Sequence, residues 1–311
     1  MITIVLVVLG LILGSFVNAL VWRLHEQSKQ ASNARTKVKN PQASKLKRHA
    51  ELVSTPRGMV NRFLKLVEDD DKLSILHGRS MCPHCEHVLT AEDLIPVFSW
   101  LSLGGKCRYC HRPISWQYPL VELATAGLFV ASYAWWPQAV QGVQVALFVI
   151  WLLVLVGFMA LVVYDLRWFL LPNRIIYPLS CLAGLYAIIA IASASSNVFI
   201  ALLDVILAVA IGGGIFYLLF QLSAGKWIGG GDVRLGWLLG LLAGTPARAV
   251  LFIFLASIIG TIVSLPLMSS HRLKRTSIIP FGPFLIAGAI ITQLFGTAII
   301  HWYTHGLLHV R

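Results

Sequence analysis

Seven long apolar runs, at 2–22, 119–136, 142–164, 175–194, 198–222, 247–268 and 279–300, constrain this chain more than any other feature. Most of them approach or exceed the roughly 20 residues that a helix needs to cross the hydrocarbon core of a bilayer. A shorter apolar stretch, 235–244, makes an eighth span with its flanks. In lipid, backbone N–H and C=O groups must be paired within the segment, so runs of this length fold as helices. Hydrophobic residues make up 57% of the 311 and charged residues 12%, against about 25% charged in soluble domains. So little charge cannot clothe a surface facing water. The sequence therefore predicts an all-α polytopic membrane protein of about eight transmembrane helices.

Charge sets the orientation. The first run starts almost at Met1, with no basic residue before it and no small-residue cleavage site after it, so it is expected to stay as an anchor. Arg23 follows and favours an outside N-terminus. With eight spans, the inner segments are then 23–117, 165–174, 223–234 and 269–278. They hold 23 of the 25 Lys and Arg residues, leaving only Arg248 and Arg311 outside. The short loops obey the positive-inside rule, and both termini are expected outside. The net charge of +12 is thus a topology signal and a match to anionic lipid, at about 1 kcal/mol per basic residue near the surface. It is not a sign of nucleic-acid binding.

Three parts follow: a first transmembrane helix at 1–22, a basic cytoplasmic segment at 23–117, and a membrane bundle at 118–311. Within the basic segment, 25–56 is rich in Lys, Ser, Asn and Gln and is expected to be flexible. Residues 59–67 have helical spacing, suiting either a membrane-surface helix or a short solvated one. The acidic run 68–71 is expected to be a solvated turn.

Within 81–113, Cys82-Pro83-His84-Cys85 and Cys107-Arg108-Tyr109-Cys110 form two Cys-x-x-Cys pairs at the separation of a Cys₄ zinc ribbon. Each pair sets two thiolates on a tight knuckle, and a hairpin between them would bring the knuckles together. Two disulfides are the competing reading, disfavoured in a reducing cytoplasm. Four thiolates close a tetrahedral sphere, so the zinc would be structural, with no open position for water. Cys181, alone in an apolar run, is expected to be a small core residue.

From residue 118 onward the chain has four acidic residues, Glu122, Asp165, Asp204 and Asp232. A carboxylate at membrane depth is costly and marks function by default. The topology puts Asp165, at the end of span three, and Asp232, opening span six, at the same cytoplasmic face; Asp204 lies toward the outer side. Two aspartates at one depth suit an aspartyl-protease dyad, in which like charges at about 3 Å share one proton. Gly229 and Gly231 allow close approach before Asp232, and Pro172 interrupts helicity after Asp165. The bland alternative makes Asp232 a helix N-cap. A transporter using Asp165, Asp204 and Asp232 as a proton or cation relay, and a zinc-bearing scaffold without catalysis, are further readings.

The chain resembles the type IV prepilin peptidases, membrane aspartyl proteases of the Gly-x-Gly-Asp kind. The resemblance runs in order from Gly14-Ser15-Phe16-Val17-Asn18 and Trp22-Arg23-Leu24, through the cysteine segment with Ile95-Pro96 and Ser99-Trp100-Leu101, to Pro113-Ile114-Ser115 and Tyr118-Pro119-Leu120-Val121-Glu122. Asp165 with Leu171-Pro172-Asn173, the Gly-x-Gly-Asp at 229–232, and Ile279-Pro280-Phe281-Gly282-Pro283 complete it. It implies that Asp165 and Asp232 are the catalytic pair, with Gly229, Gly231, Pro172 and Asn173 as the supporting motif. It implies cleavage after a glycine that ends a short basic leader of prepilins and pseudopilins. It also implies methylation of the new N-terminus with S-adenosylmethionine, for which no residue is assigned. Two departures stand out: 25–78 is longer than the usual connection, and Asn173 stands where many bacterial members carry aspartate. Glu122 is a possible contact for the substrate's N-terminal region or an interfacial anchor.

Overall fold

The computed structural model describes residues 1–39, 80–194, 197–269 and 279–307. The surface helix expected at 59–67 and the acidic run at 68–71 lie outside them. The described residues are helical apart from loops and two isolated β-bridges. The long helices are α1 (Ile2–Lys39), α3 (Gln117–Ala134), α4 (Val143–Trp168), α5 (Asn173–Ser193), α6 (Val198–Leu222), α7 (Gly230–Ala243), α8 (Pro246–Ser269) and α9 (Gly282–His301); a short α2 (Phe98–Ser102) lies between α1 and α3.

All eight expected spans are helices, and from the second span on their ends match the apolar runs closely. Six of them, α1, α4, α5, α6, α8 and α9, are long and apolar enough to cross a membrane. The other two fall short for different reasons. α3 opens with Gln117, Tyr118, Pro119 and Glu122, and α7 has 14 residues, about 21 Å at 1.5 Å per residue. The first helix differs most from expectation. It continues to Lys39, into the 25–56 segment that was expected to be flexible, because those residues are largely good helix formers, and Lys29 pairs with Glu26 at 2.8 Å.

By its contacts the chain forms two compact units, Met1–Gly10 with Ala124–Arg311, and Leu11–Leu123. In the first, the short α7 packs against α5, α6, α8 and α9, with Leu235, Leu238 and Leu239 fully buried. Lipid is as apolar as leucine, so the hydrophobic effect does not hold such helices together; close packing at small residues does. A Cβ on Gly212 of α6 would stand 2.8 Å from the carbonyl oxygen of Gly236, and one on Gly240 of α7 would stand 2.7 Å from the Cα of Val209. These glycines let the two backbones touch, and they run the helices antiparallel. Cys181, expected in the core, is exposed on α5.

The second unit joins α1 to the start of α3 through amides. Asn18 Nδ2 donates to the Tyr118 carbonyl at 3.2 Å, and Gln117 Nε2 donates to Asn18 Oδ1 at 3.4 Å.

Candidate active site

Asp165 sits near the end of α4 and is buried. Four residues later Phe169 takes a left-handed conformation (φ 54°), and its N–H closes on the Asp165 carbonyl at 2.8 Å. The chain then runs extended to Pro172, whose carbonyl accepts the amides of Ile175 and Ile176 as α5 begins. Helicity is therefore interrupted after Asp165, as the proline predicts. Asp232 lies in the first turn of α7. The N-cap is Gly229, not Asp232, and the Asp232 carboxylate reaches back to accept the Gly229 N–H, in the manner of an N3 acid in a capping box.

Asp165 has a matching partner on a different helix. Its carboxylate accepts the backbone N–H of Gly282, the first residue of α9. Both acids thus rest on amides at helix N-termini, where the helix dipole favours negative charge. A Cβ on Gly282 would stand 2.6 Å from Asp165 Oδ2, so any side chain there would have to displace the carboxyl. Leu171 Cδ1 would lie 3.5 Å from that Cβ and 3.2 Å from one on Gly231. One leucine side chain therefore touches both the glycine under Asp165 and the glycine before Asp232. The two carboxyls are near enough for charge on Asp165 to act on Asp232.

Asp204 is not part of this group. The α6–α7 register, with Gly212 at Gly236 and Val209 at Gly240, puts it level with Gly244, roughly 18 Å along the helix from Asp232.

The four cysteines converge in the other unit. The sulfurs of Cys82, Cys85, Cys107 and Cys110 all lie within 4.8 Å of one another, and Cys82 and Cys110 are 3.9 Å apart. Tetrahedral zinc with Zn–S bonds of about 2.3 Å separates its sulfurs by about 3.8 Å, so the set fits such an ion. The two knuckles are copies at an offset of 25 residues. Cys82 N–H bonds to the His87 carbonyl at 3.0 Å and Cys107 N–H to that of Arg112 at 2.9 Å, while bridges Met81–Val88 and Lys106–Pro113 close each one. Glu86 and His111 take the same positive φ of 56°. Each knuckle is its own small hairpin; between them lie the 3-10 turn Glu92–Leu94 and α2, not the single connecting hairpin expected.

The thiols share their protons unevenly. Burial raises the Cys82 thiol, but the amides of Cys85 and His84 and the thiols of Cys107 and Cys85 bring it down to about 7. The Arg112 amide lowers Cys110, but burial and the three neighbouring sulfurs push it up to about 11. Four thiolates this close repel one another, and a divalent cation relieves that repulsion.

Two family models match the chain: the bacterial peptidase A24 N-terminal domain over residues 8–136, and the type IV leader peptidase family over residues 152–265. Among curated proteins, the chain is 35% identical to a prepilin leader peptidase/N-methyltransferase of Aeromonas hydrophila over 244 residues, covering 77% of this chain and 79% of that one. A protein of the same name from Bacillus subtilis is 33% identical over 74% of this chain and 87% of its own length. A third, from Stutzerimonas stutzeri, is 31% identical over 95% of this chain and 91% of its own length. The chain belongs to the type IV leader peptidase family. It is a multi-pass membrane peptidase, all-helical, with a cysteine cluster suited to a metal. No solved structure matches it significantly.

Two further residues of this peptidase take places that the sequence did not assign. Arg234, just past Asp232, donates from Nη1 to Asn173 Oδ1 at 2.6 Å, tying the start of α7 to the start of α5. Glu122, buried in α3, accepts the Val97 N–H at 2.7 Å and the Ser15 hydroxyl. Gly282 lies in the Ile279-Pro280-Phe281-Gly282-Pro283 stretch, but its role as the amide under Asp165 depends on a contact across 117 positions of sequence, and no local pattern announces it.

Proposed function

We propose that this peptidase removes the short basic leader from prepilins and pseudopilins at the cytoplasmic membrane face, with Asp165 and Asp232 activating water, and then methylates the new N-terminus. The ionised carboxylate takes a proton from the attacking water while the protonated one gives its proton to the scissile carbonyl oxygen. Collapse of the tetrahedral intermediate breaks the C–N bond: the proton just taken up passes to the leaving amine, and one hydroxyl of the intermediate returns its proton to the other carboxylate, leaving the new carboxylic acid and the dyad with its single shared proton. The amides of Gly282 and Gly229 hold the two carboxyls in place. The observation that carries this reading is the pair of acids seated on neighbouring helix N-termini around Leu171. A basic leader stays in the cytoplasm while the pilin's apolar helix stays in the bilayer, so the scissile bond falls at the depth of both aspartates.

The names of the relatives support methylation, with S-adenosylmethionine supplying the methyl group. Zinc is the ion that the four cysteines would hold, as a structural cross-link between the knuckles. The bundle 118–311 would carry the peptidase and 81–113 the ribbon, with both termini outside. The cation relay lacks support, because Asp204 stands apart from the other two acids.

Cleavage of a pilin precursor in proteoliposomes tests the reading. Asp165→Asn and Asp232→Asn should each slow cleavage on the order of 100-fold or more, with Asp204→Asn near the parent. Normal cleavage by either of the first two variants would overturn the dyad.

A further inference from the structure

The cysteine ribbon carries apolar side chains that no described residue covers. Residues 94–105 contain no charged side chain, between Glu92-Asp93 and the basic Lys106, Arg108 and Arg112. Phe98 and Leu101, one turn apart on α2, are 66% and 62% exposed, and Ile95 is exposed just before them. Trp116 is 66% exposed and packs tilted against Trp100, ring centroids 4.1 Å apart; Trp100 Nε1 in turn donates to the Ile114 carbonyl at 3.2 Å. An exposed apolar set of this kind on a small domain marks an interaction surface.

One bond ties it to α3. Val97, the residue before Phe98, donates its N–H to Glu122 Oε2 at 2.7 Å. Val97 is held there at φ 59°, a strained conformation for a β-branched residue. Glu122 is the sixth residue of α3, about 7.5 Å along the helix from Gln117. At that level the neighbouring α3 side chains Leu120 and Leu123 are exposed, as lipid-facing residues of a membrane helix are. The bond therefore holds Val97, and with it the start of α2 at Phe98, beside the sixth residue of α3, beyond the polar turn Gln117-Tyr118. Trp116 sits one residue before the helix, where tryptophan anchors at a membrane interface.

We propose that Ile95, Phe98, Leu101 and Trp116 seat the ribbon in the interfacial layer of the lipid bilayer, with Glu122 setting the depth. The occupant is anionic phospholipid. The apolar side meets the acyl boundary, and the exposed Lys106 and Arg112 suit the headgroups above it. Glu122 is a positioning residue in this arrangement. The inference rests on α3 entering the membrane and not on the identity of the catalytic acids.

Photo-crosslinking of the full-length protein in vesicles of phosphatidylethanolamine and phosphatidylglycerol tests it. p-Benzoylphenylalanine at Phe98 or Leu101 should label phospholipid several times more than the same group at Arg112. Metal content of each purified variant reports whether the ribbon is intact, and the Leu101 position gives an independent reading if the Phe98 variant has lost its metal. Lipid labelling at 98 and 101 no higher than at 112 would overturn the proposal. So would adducts there with a second copy of the chain or with a co-reconstituted pilin.

Discussion

The ribbon and the aspartate site reach precise geometry by opposite routes. In the ribbon, each knuckle is built by residues within a span of ten, and the same turn is made twice at an offset of 25. The sulfurs are then brought together as a set. At the aspartate site no segment is complete. Asp165 lies in the last turn of α4, its amide partner Gly282 begins α9, Asp232 lies in the first turn of α7, and Leu171 lies against two of the glycines. Local turns can be assembled and cross-linked by a metal. A site made of helix ends depends on the whole bundle, and on side chains that are absent at Gly231 and Gly282.

The contrast predicts that the two regions fail separately. The largest effect should follow Cys107→Ser. Removing this buried thiol leaves three, and the purified protein should carry far less zinc than the parent, measured by elemental analysis. Cleavage should fall far less than in the aspartate variants; equal loss of both would join the two regions functionally. Next is Gly282→Ala. A Cβ at 2.6 Å from Asp165 Oδ2 must displace the carboxyl, and misplacement by about 1 Å can cost on the order of 100-fold in rate. Cleavage should drop at least tenfold with zinc content unchanged, whereas retained cleavage would show that the Gly282 amide does not hold Asp165.

The smallest effect concerns Asp93, whose side chain is only 4% exposed. Burial raises its carboxyl, but the Thr90 hydroxyl and amide, Arg108 and Tyr109 outweigh burial and hold it below the usual carboxylate range. A lowered folded pKa stabilises the ribbon above the unfolded value, about 3.9, and that contribution is lost as pH falls through the folded value. Asp93→Asn should therefore loosen amides 90–110 in hydrogen exchange near neutral pH. The difference from the parent should shrink below about pH 4; a difference independent of pH would exclude this ionisation as the cause.

What was legible in the sequence follows the same division. The cysteines announce themselves because each knuckle is local, although the turn built twice was visible only as the repeated Cys-x-x-Cys. Helix limits were legible because lipid enforces length, and the one large miss, α1 running on to Lys39, lies where polar residues outside lipid no longer report it. Asp165 and Asp232 stood out because acids are so scarce beyond residue 118. The amide under Asp165, the Arg234–Asn173 bond and the Val97–Glu122 bond were not readable. Each joins residues 25 to 117 positions apart with no periodicity linking them. Cys181 was misplaced for a related reason, since in lipid an apolar residue gains little by facing inward.

The central claim is that Asp165 and Asp232 perform the peptide-bond chemistry and do not merely hold the bundle together. It is tested most directly by methyl transfer onto a pilin already freed of its leader, catalysed by Asp165→Asn and Asp232→Asn in proteoliposomes. The account predicts methylation at the parent rate by both variants, alongside abolished cleavage of the full precursor. Methylation lost together with cleavage would contradict it, and would make the two aspartates supports of the fold.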